Sequence, residues 1–368
     1  MTGIYREDIE RILADPGILW DKLAGCGILV TGATGLLGEL IVKTLVALRE
    51  KEDMDFRIYA LARNREKIEH VYSDYCIAYC DDDKEEPVFG QEKPYIHFIC
   101  SDIRDFTDFV GQIDYIIHAA SETSSRAFIE QPVEVEETAI IGTRNLLHID
   151  REKHVKCMLF LSTMEVYGTP QTDEKISEDR VLEAKPGEVR GSYPIGKIAC
   201  ESLCTGYAGE YGVPVSVLRL TQTFGAGVVY DDGRVFAEFA RCVIEGRDIR
   251  LKTKGETRRN YLYTTDAIRC MLMVLLSDRV NPGEVYNVAN EDTYCSIAEM
   301  AELVAECFGE NKIRVVFDID SDAEKMGYAP TLCMNLDTSK IRALGWHPEV
   351  SMEEMYRRMI EYMRSCNG

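Results

Sequence analysis

Six runs of apolar, largely β-branched residues recur along the first 220 positions, and helical patterns separate most of them. They are "GILVTG" (27–32), "FRIYALA" (56–62), "YIHFIC" (95–100), "IDYIIHAA" (113–120), "KCMLFLS" (156–162) and "VPVSVLRL" (213–220). A strand with one wet face alternates apolar and polar residues, and these runs do not. They need cover on both faces, which in a chain alternating strands with helices means a parallel sheet wound on both sides. The expected fold class is therefore α/β, a doubly wound parallel sheet. With 368 residues and 46% hydrophobic content, the chain can also build a second, smaller core.

The pattern divides the chain. Residues 1–24 read as an N-terminal helical extension, with "REDIERIL" placing Leu and Ile at helical spacing among charges. Residues 25–222 carry the strand–helix alternation. After about 222 it loosens into "GAGVVYDDGRVF", the helix "VFAEFARCVIEG", the strand "IRLKT" and the turn-rich "YAPTLCMNLDTSKIRALGW". Residues 223–368 are expected mainly as a smaller C-terminal lobe for substrate, with a segment near 260–290 returning to the first domain.

Composition narrows the partners. The 63 acidic residues outnumber the 42 basic ones, for a net charge of −21, and no Lys/Arg cluster offsets this. The field opposes phosphate backbones and anionic lipid, so nucleic acid and membrane are discounted as partners. Apolar runs such as "AIRCMLMVLL" fall short of the ~20 residues that cross a bilayer. The 13 cysteines show no CxxC pair or Cys/His ligand spacing, and no signal-like segment opens the chain. No metal site is expected, and the location expected is cytoplasmic.

Between the first strand and the helix "GELIVKTLVAL", "TGATGLLG" sets Gly32, Gly35 and Gly38 at three-residue intervals. Glycines at that junction let the backbone turn tightly and approach a pyrophosphate resting on the helix N-terminus. That context makes the sheet a Rossmann, dinucleotide-binding one. At the end of the second strand, where a carboxylate would hold the adenosine ribose, stand Ala62 and Arg63. Arg63 fits a 2′-phosphate, stacking on adenine, or plain solvation, so NAD and NADP both stay open. Asp102, in "CSDIRD", suits the adenine amino group or a capping role.

"GSYPIGK" places Tyr193 and Lys197 on one face of a helix start, where the ammonium is expected to pull the phenol down toward neutrality. Thr163 lies thirty residues earlier at the end of a buried strand and can hold a substrate oxygen while Tyr193 takes its proton. Two positions further, Glu165 shares the face of Thr163 if the strand continues that far.

In this order "TGATGLLG", "HAAS", "GTRNLL", "STMEVYG", "SYPIGK" and "RRNYLYTTDA" resemble the extended short-chain dehydrogenase/reductases that act on nucleotide sugars as epimerases and dehydratases. The resemblance runs from about residue 25 to the C-terminus. It implies a tightly bound nicotinamide, NAD by family habit, held by Gly32, Thr34, Gly35, Leu36, Leu37, Gly38, Arg63, Asp102, Ile103, Ala119, Ala120, Ser121, Tyr193, Lys197 and Gln222. It also implies a nucleotide-sugar substrate contacted by Ser121, Ser124, Thr163, Gln222 and Arg259, and a homodimer formed through two helices per subunit. In that family Tyr193 deprotonates the sugar 4-OH while C4 gives up hydride, with Thr163, Glu165 and Lys197 completing the catalytic set.

The next step defines the enzyme. The family's 4,6-dehydratases commonly read Thr-Asp-Glu where this chain has Thr163-Met164-Glu165, and a thioether donates no proton. The UDP-glucuronate decarboxylase branch reads Thr-Ser-Glu, and its pattern continues without a gap through "HAASETSSRAFIEQPVEVEETAIIGTRNLL" (118–147) apart from Ala139 in place of Asn. Arg259 suits phosphates or a carboxylate, with a surface ion pair as the bland alternative. Gln222 stands where an Asn is usual, and "YAPTLCMNLDTSK" lacks the branch's arginine-rich element. Decarboxylation and epimerisation rank level, ahead of dehydration. A regulator that binds the dinucleotide without turnover is the alternative of another class, disfavoured because Thr163, Tyr193 and Lys197 are all present.

Overall fold

The computed structural model describes residues 3–80, 95–124, 126–310, 312–319 and 331–366. Its strands in chain order are β1 (Gly27–Thr31), β2 (Arg57–Ala62), β3 (Ile77–Tyr79), β4 (Ile96–Cys100), β5 (Tyr115–His118), β6 (Cys157–Thr163), β7 (Val215–Leu220), β8 (Gln222–Phe224), β9 (Ile249–Leu251), β10 (Arg258–Tyr263), β11 (Val285–Val288), β12 (Asn290–Ser296), β13 (Val315–Phe317) and β14 (Cys333–Met334). Eight of them form one sheet in the order β11-β7-β6-β5-β1-β2-β4-β3, with every adjacent pair parallel.

The unbroken apolar runs follow from cover on both faces. In β1, Ile28 and Val30 enter one core and Leu29 the other; in β2, Ile58 and Ala60 go with the first, Tyr59 and Leu61 with the second. Helices Leu36–Glu52 and Thr264–Leu275 close the first core, and Pro132–Lys153 and Ser192–Tyr211 close the second. From β1 the chain proceeds to β2 on one side and later resumes at β5 on the other. The C-terminal ends of this central pair leave the crevice where a doubly wound sheet receives its ligand.

A smaller core gathers Phe224, Phe236, Tyr261, Met300, Met355 and Tyr356 around β8, β10, β12 and β14. Strand β10 lies between the two bodies, with Leu262 in the core under the large sheet and Tyr261 and Tyr263 in the smaller one. Of the turn-rich stretch in this region, residues 328–330 lie outside the described residues; the rest supplies β14 and the short helix Ser339–Arg342. Among the described residues no helix is long and apolar enough to cross a membrane, and no His/Cys/Asp/Glu group could hold a metal ion.

Candidate active site

The glycine turn sits at the mouth of the crevice. Gly32 has φ +68°, and a Cβ there would lie 2.7 Å from the Ala119 carbonyl oxygen. A Cβ on Gly38 would overlap the Gly32 carbonyl, so this glycine lets the helix approach the strand. Gly35 is exposed and caps the helix that begins at Leu36, leaving the first N–H groups of Leu36, Leu37 and Gly38 pointing out of the helix. The backbone therefore fits a pyrophosphate, and Thr34, Leu36, Leu37, Ala119, Ala120 and Ser121 line the mouth half-buried.

A buried chain of hydrogen bonds fixes the floor beneath it. Ala120 N–H donates to Thr31 Oγ1 at 3.1 Å, Thr31 Oγ1 lies 2.9 Å from His118 Nδ1, His118 Nε2 lies 3.1 Å from Thr143 Oγ1, and Thr143 donates to Cys200 Sγ at 3.3 Å. Burial pushes His118 down to about 3, so it is neutral, and the chain runs in one direction if the ring proton sits on Nε2.

At the adenosine end, Ala62 is buried and the Arg63 side chain is 60% exposed, facing Glu122 at 3.8 Å and Glu134 at 4.0 Å. Asp102 is engaged: Arg104 donates to it from its backbone N–H at 2.9 Å and from its guanidinium at 3.0 Å, which lowers the carboxyl. The geometry favours turn capping for Asp102. Ile103 is buried where a Cβ on Gly142 would meet it.

Around the end of β6 the structure brings together Thr163, Glu165, Tyr193 and Lys197. Helix Ser192–Tyr211 begins one residue before Tyr193, whose phenol the Thr163 hydroxyl pulls downward. Tyr193 stacks on Phe128, with ring centroids 4.4 Å apart and planes 9° from parallel. Lys197 donates to the Leu161 carbonyl at 2.7 Å and lies 5.9 Å from the Tyr193 ring centroid.

Two expectations need correction. The strand ends at Thr163, and Met164–Tyr167 form a 3₁₀ turn capped by Thr163, whose Oγ1 accepts from Glu165 N–H at 3.3 Å. Glu165 thus does not share a strand face with Thr163; the turn brings it within electrostatic reach of Tyr193. The tyrosine is also not pulled down. Burial pushes its phenol up and the Glu165 charge adds to this, while Thr163 and Arg234 oppose. Lys197 is itself pushed down to about 8 by burial and is tied to the strand carbonyl.

Glu165 is half-buried, and its carboxylate has no hydrogen-bond partner among the described residues. Burial raises it, while Arg190 and Arg259 pull it back. Arg259 donates to Gln222 Oε1 at 3.2 Å, and its Nε is buried without a partner. Met164 is buried in an apolar cluster with Val166 and Met334. Ser124 stays outside this group: it is exposed, and its hydroxyl accepts from Ala127 N–H at 3.4 Å. The sequence reading missed Arg190, Arg234 and Phe128. Arg190, three residues before Tyr193 on the turn Val189–Gly191, was the one with a positional signal.

The profile of the "NAD dependent epimerase/dehydratase family" matches residues 28–289. The chain is 30% identical over 281 residues to a UDP-N-acetyl-alpha-D-glucosaminuronate decarboxylase of Bacillus cytotoxicus, covering 75% of this chain and 84% of that protein. It is 29% identical over 255 residues to UDP-glucuronic acid decarboxylase 1 of Xenopus tropicalis, covering 69% of this chain but only 57% of the frog protein. A crystal structure of UDP-glucose 4-epimerase from Thermotoga maritima superposes with a TM-score of 0.72 at 23% identity, covering 93% of this chain and 100% of the other. The fold and the glycine-turn site define a dinucleotide-binding protein of the doubly wound class. Within it, the chain belongs to the NAD dependent epimerase/dehydratase family.

Proposed function

We propose that the chain oxidises C4 of a nucleotide-linked uronic acid with a tightly held NAD and then releases the C5 carboxylate as CO2. The observation that carries this reading is the meeting of Thr163 at the end of β6, Tyr193 and Lys197 on the helix tied to that strand, and the half-buried Glu165 on which Arg190 and Arg259 act. A nicotinamide held at the glycine turn would supply the hydride acceptor and a positive charge beside the Tyr193 phenol.

Thr163 holds O4, and Tyr193 takes its proton as the C4 hydrogen leaves as hydride. The resulting C4 carbonyl accepts the electron pair left at C5 when CO2 departs. Glu165, whose proton affinity burial raises, gives a proton to C5. Hydride and the Tyr193 proton then return to C4 and O4. Arg190 and Arg259 suit the substrate's carboxylate or phosphates. Met164 supports decarboxylation over dehydration, since its buried thioether can protonate no leaving hydroxyl.

Incubation with NAD and UDP-glucuronate, with products read by mass, tests this. The expected product has lost CO2. Loss of water overturns the reading in favour of a dehydratase. An unchanged mass with an inverted centre favours epimerisation, the second reading, which the missing arginine-rich element supports.

Arg63 supports NAD over NADP. It shares its rim with Glu122 and Glu134, and Arg104 is taken up by Asp102 and Glu134, so a 2′-phosphate would meet more carboxylate than guanidinium. NAD is expected to bind at least about tenfold tighter than NADP. Equal affinities in a fluorescence titration would overturn this preference.

A further inference from the structure

We propose that the N-terminal helix Gly3–Leu13, outside the matched residues 28–289, is a positioning element of the active site that acts through Asp8 and Tyr5. This rests on reading the glycine turn as the dinucleotide site.

Asp8 is completely buried, a costly place for a carboxylate unless it is paired. Arg358, from helix Met352–Cys366, donates to one oxygen, from Nη2 at 2.7 Å and from Nε at 2.9 Å. The other oxygen accepts from the Tyr263 phenol at 2.7 Å. That phenol oxygen in turn accepts the Ala226 N–H at 3.4 Å. Ala226 belongs to the loop after β8, four residues beyond Gln222, so Asp8 is two hydrogen bonds away from a segment next to the reactive cluster.

The helix also reaches the glycine turn. A Cβ on Gly227 would lie 3.0 Å from Leu36 and 3.3 Å from the Tyr5 ring, so loop, helix start and Tyr5 are in contact. Leu36 opens the helix whose free N–H groups face the crevice. The Tyr5 hydroxyl donates to Glu39 at 3.4 Å, and Glu39 pairs with Lys43 at 2.7 Å. The Lys43 ammonium lies 5.3, 5.5 and 5.6 Å from the ring centroids of Tyr5, Tyr72 and Tyr75. Tyr72 closes the circuit by donating to the Ala33 carbonyl at 2.6 Å, inside the turn itself. Both routes from the helix therefore end on segments that line the proposed ligand site.

Two conservative changes test the first route. Tyr263→Phe removes the hydroxyl between Asp8 and Ala226 while leaving the Asp8–Arg358 pair, and Asp8→Asn weakens the pair while keeping an acceptor for Tyr263. NAD release from each holoenzyme is followed by stopped-flow fluorescence, with thermal melts in parallel and Leu19→Ala, at an exposed side chain, as a control. We expect Tyr263→Phe to melt lower than the wild type, because one Asp8 oxygen and the Ala226 N–H lose this partner, and to release NAD about tenfold faster. Asp8→Asn should be accelerated less, and the double variant no more than Tyr263→Phe, because both act on one path. Variants that melt lower yet release NAD at the wild-type rate overturn the proposal and leave the helix a stabilising element only. Wild-type protein that binds no dinucleotide overturns the site reading as well.

Discussion

Each side chain of the reactive cluster has a surrounding that sets its proton affinity. Tyr193 is 9% exposed and pushed up by burial, Lys197 is held at about 8, and Glu165 is raised while two arginines restrain it. A raised carboxyl keeps its proton to a higher pH than a free one, so the acid role proposed for Glu165 fades as pH rises through its folded value. Glu165→Gln is expected to accumulate the 4-keto sugar, trapped as a hydrazone, and to lack that alkaline limb, whereas Tyr193→Phe should stop before the ketone with turnover at least about a hundredfold down. Unchanged CO2 release by Glu165→Gln would return Glu165 to a structural part. That Thr163, Tyr193 and Lys197 come together could be read from the sequence, because they stand at fixed spacing at the end of a strand and the start of a helix. Arg234 could not, because a single arginine ahead of a helix carries no period and acquires meaning only when the fold brings its charge to Tyr193; Arg190 offered only its place three residues before Tyr193.

At the scale of elements, the central strands were legible because residues alternate between two cores, which leaves each run apolar throughout. β3 and β11 were not, being three and four residues long at the two edges of the sheet. Nor was the 3₁₀ turn after β6, since "MEVY" suits a strand as well as a turn and Thr163 decides it by capping. Helix Pro132–Lys153 holds a liability of its own. Asp150 is 1% exposed, neither carboxylate oxygen has a partner among the described residues, and burial pushes it up to about 8. Between about pH 4 and 8 the unfolded chain gives up this proton while the folded chain keeps it. The folded state then binds more protons, and stability falls with rising pH by up to about 1.4 kcal/mol per unit. Asp150→Leu should remove that part of the slope and melt higher than the wild type at pH 8, with little gain at pH 4. Parallel stability-against-pH curves for the two proteins would contradict the assignment.

Over the whole molecule, the charge of −21 stands against ligands that are themselves anionic. Arg190 and Arg259 act on Glu165 and Arg234 acts on Tyr193, and Arg234 is already paired with Asp232 at 2.5 Å. On the function proposed above, the acidic surface repels an approaching NAD at long range and these arginines attract it at short range. Salt screens the long-range part first, because the Debye length falls from about 30 Å at 0.01 M to about 8 Å at 0.15 M. The contacts inside the crevice are screened much less. The association rate of NAD is accordingly expected to rise several-fold between those two ionic strengths, while its dissociation rate changes little. Stopped-flow binding at a series of salt concentrations measures both. A rate that falls as salt is added would mean that the arginines already dominate the field at the distance of encounter, and that the acidic surface is too remote from the crevice to be felt there.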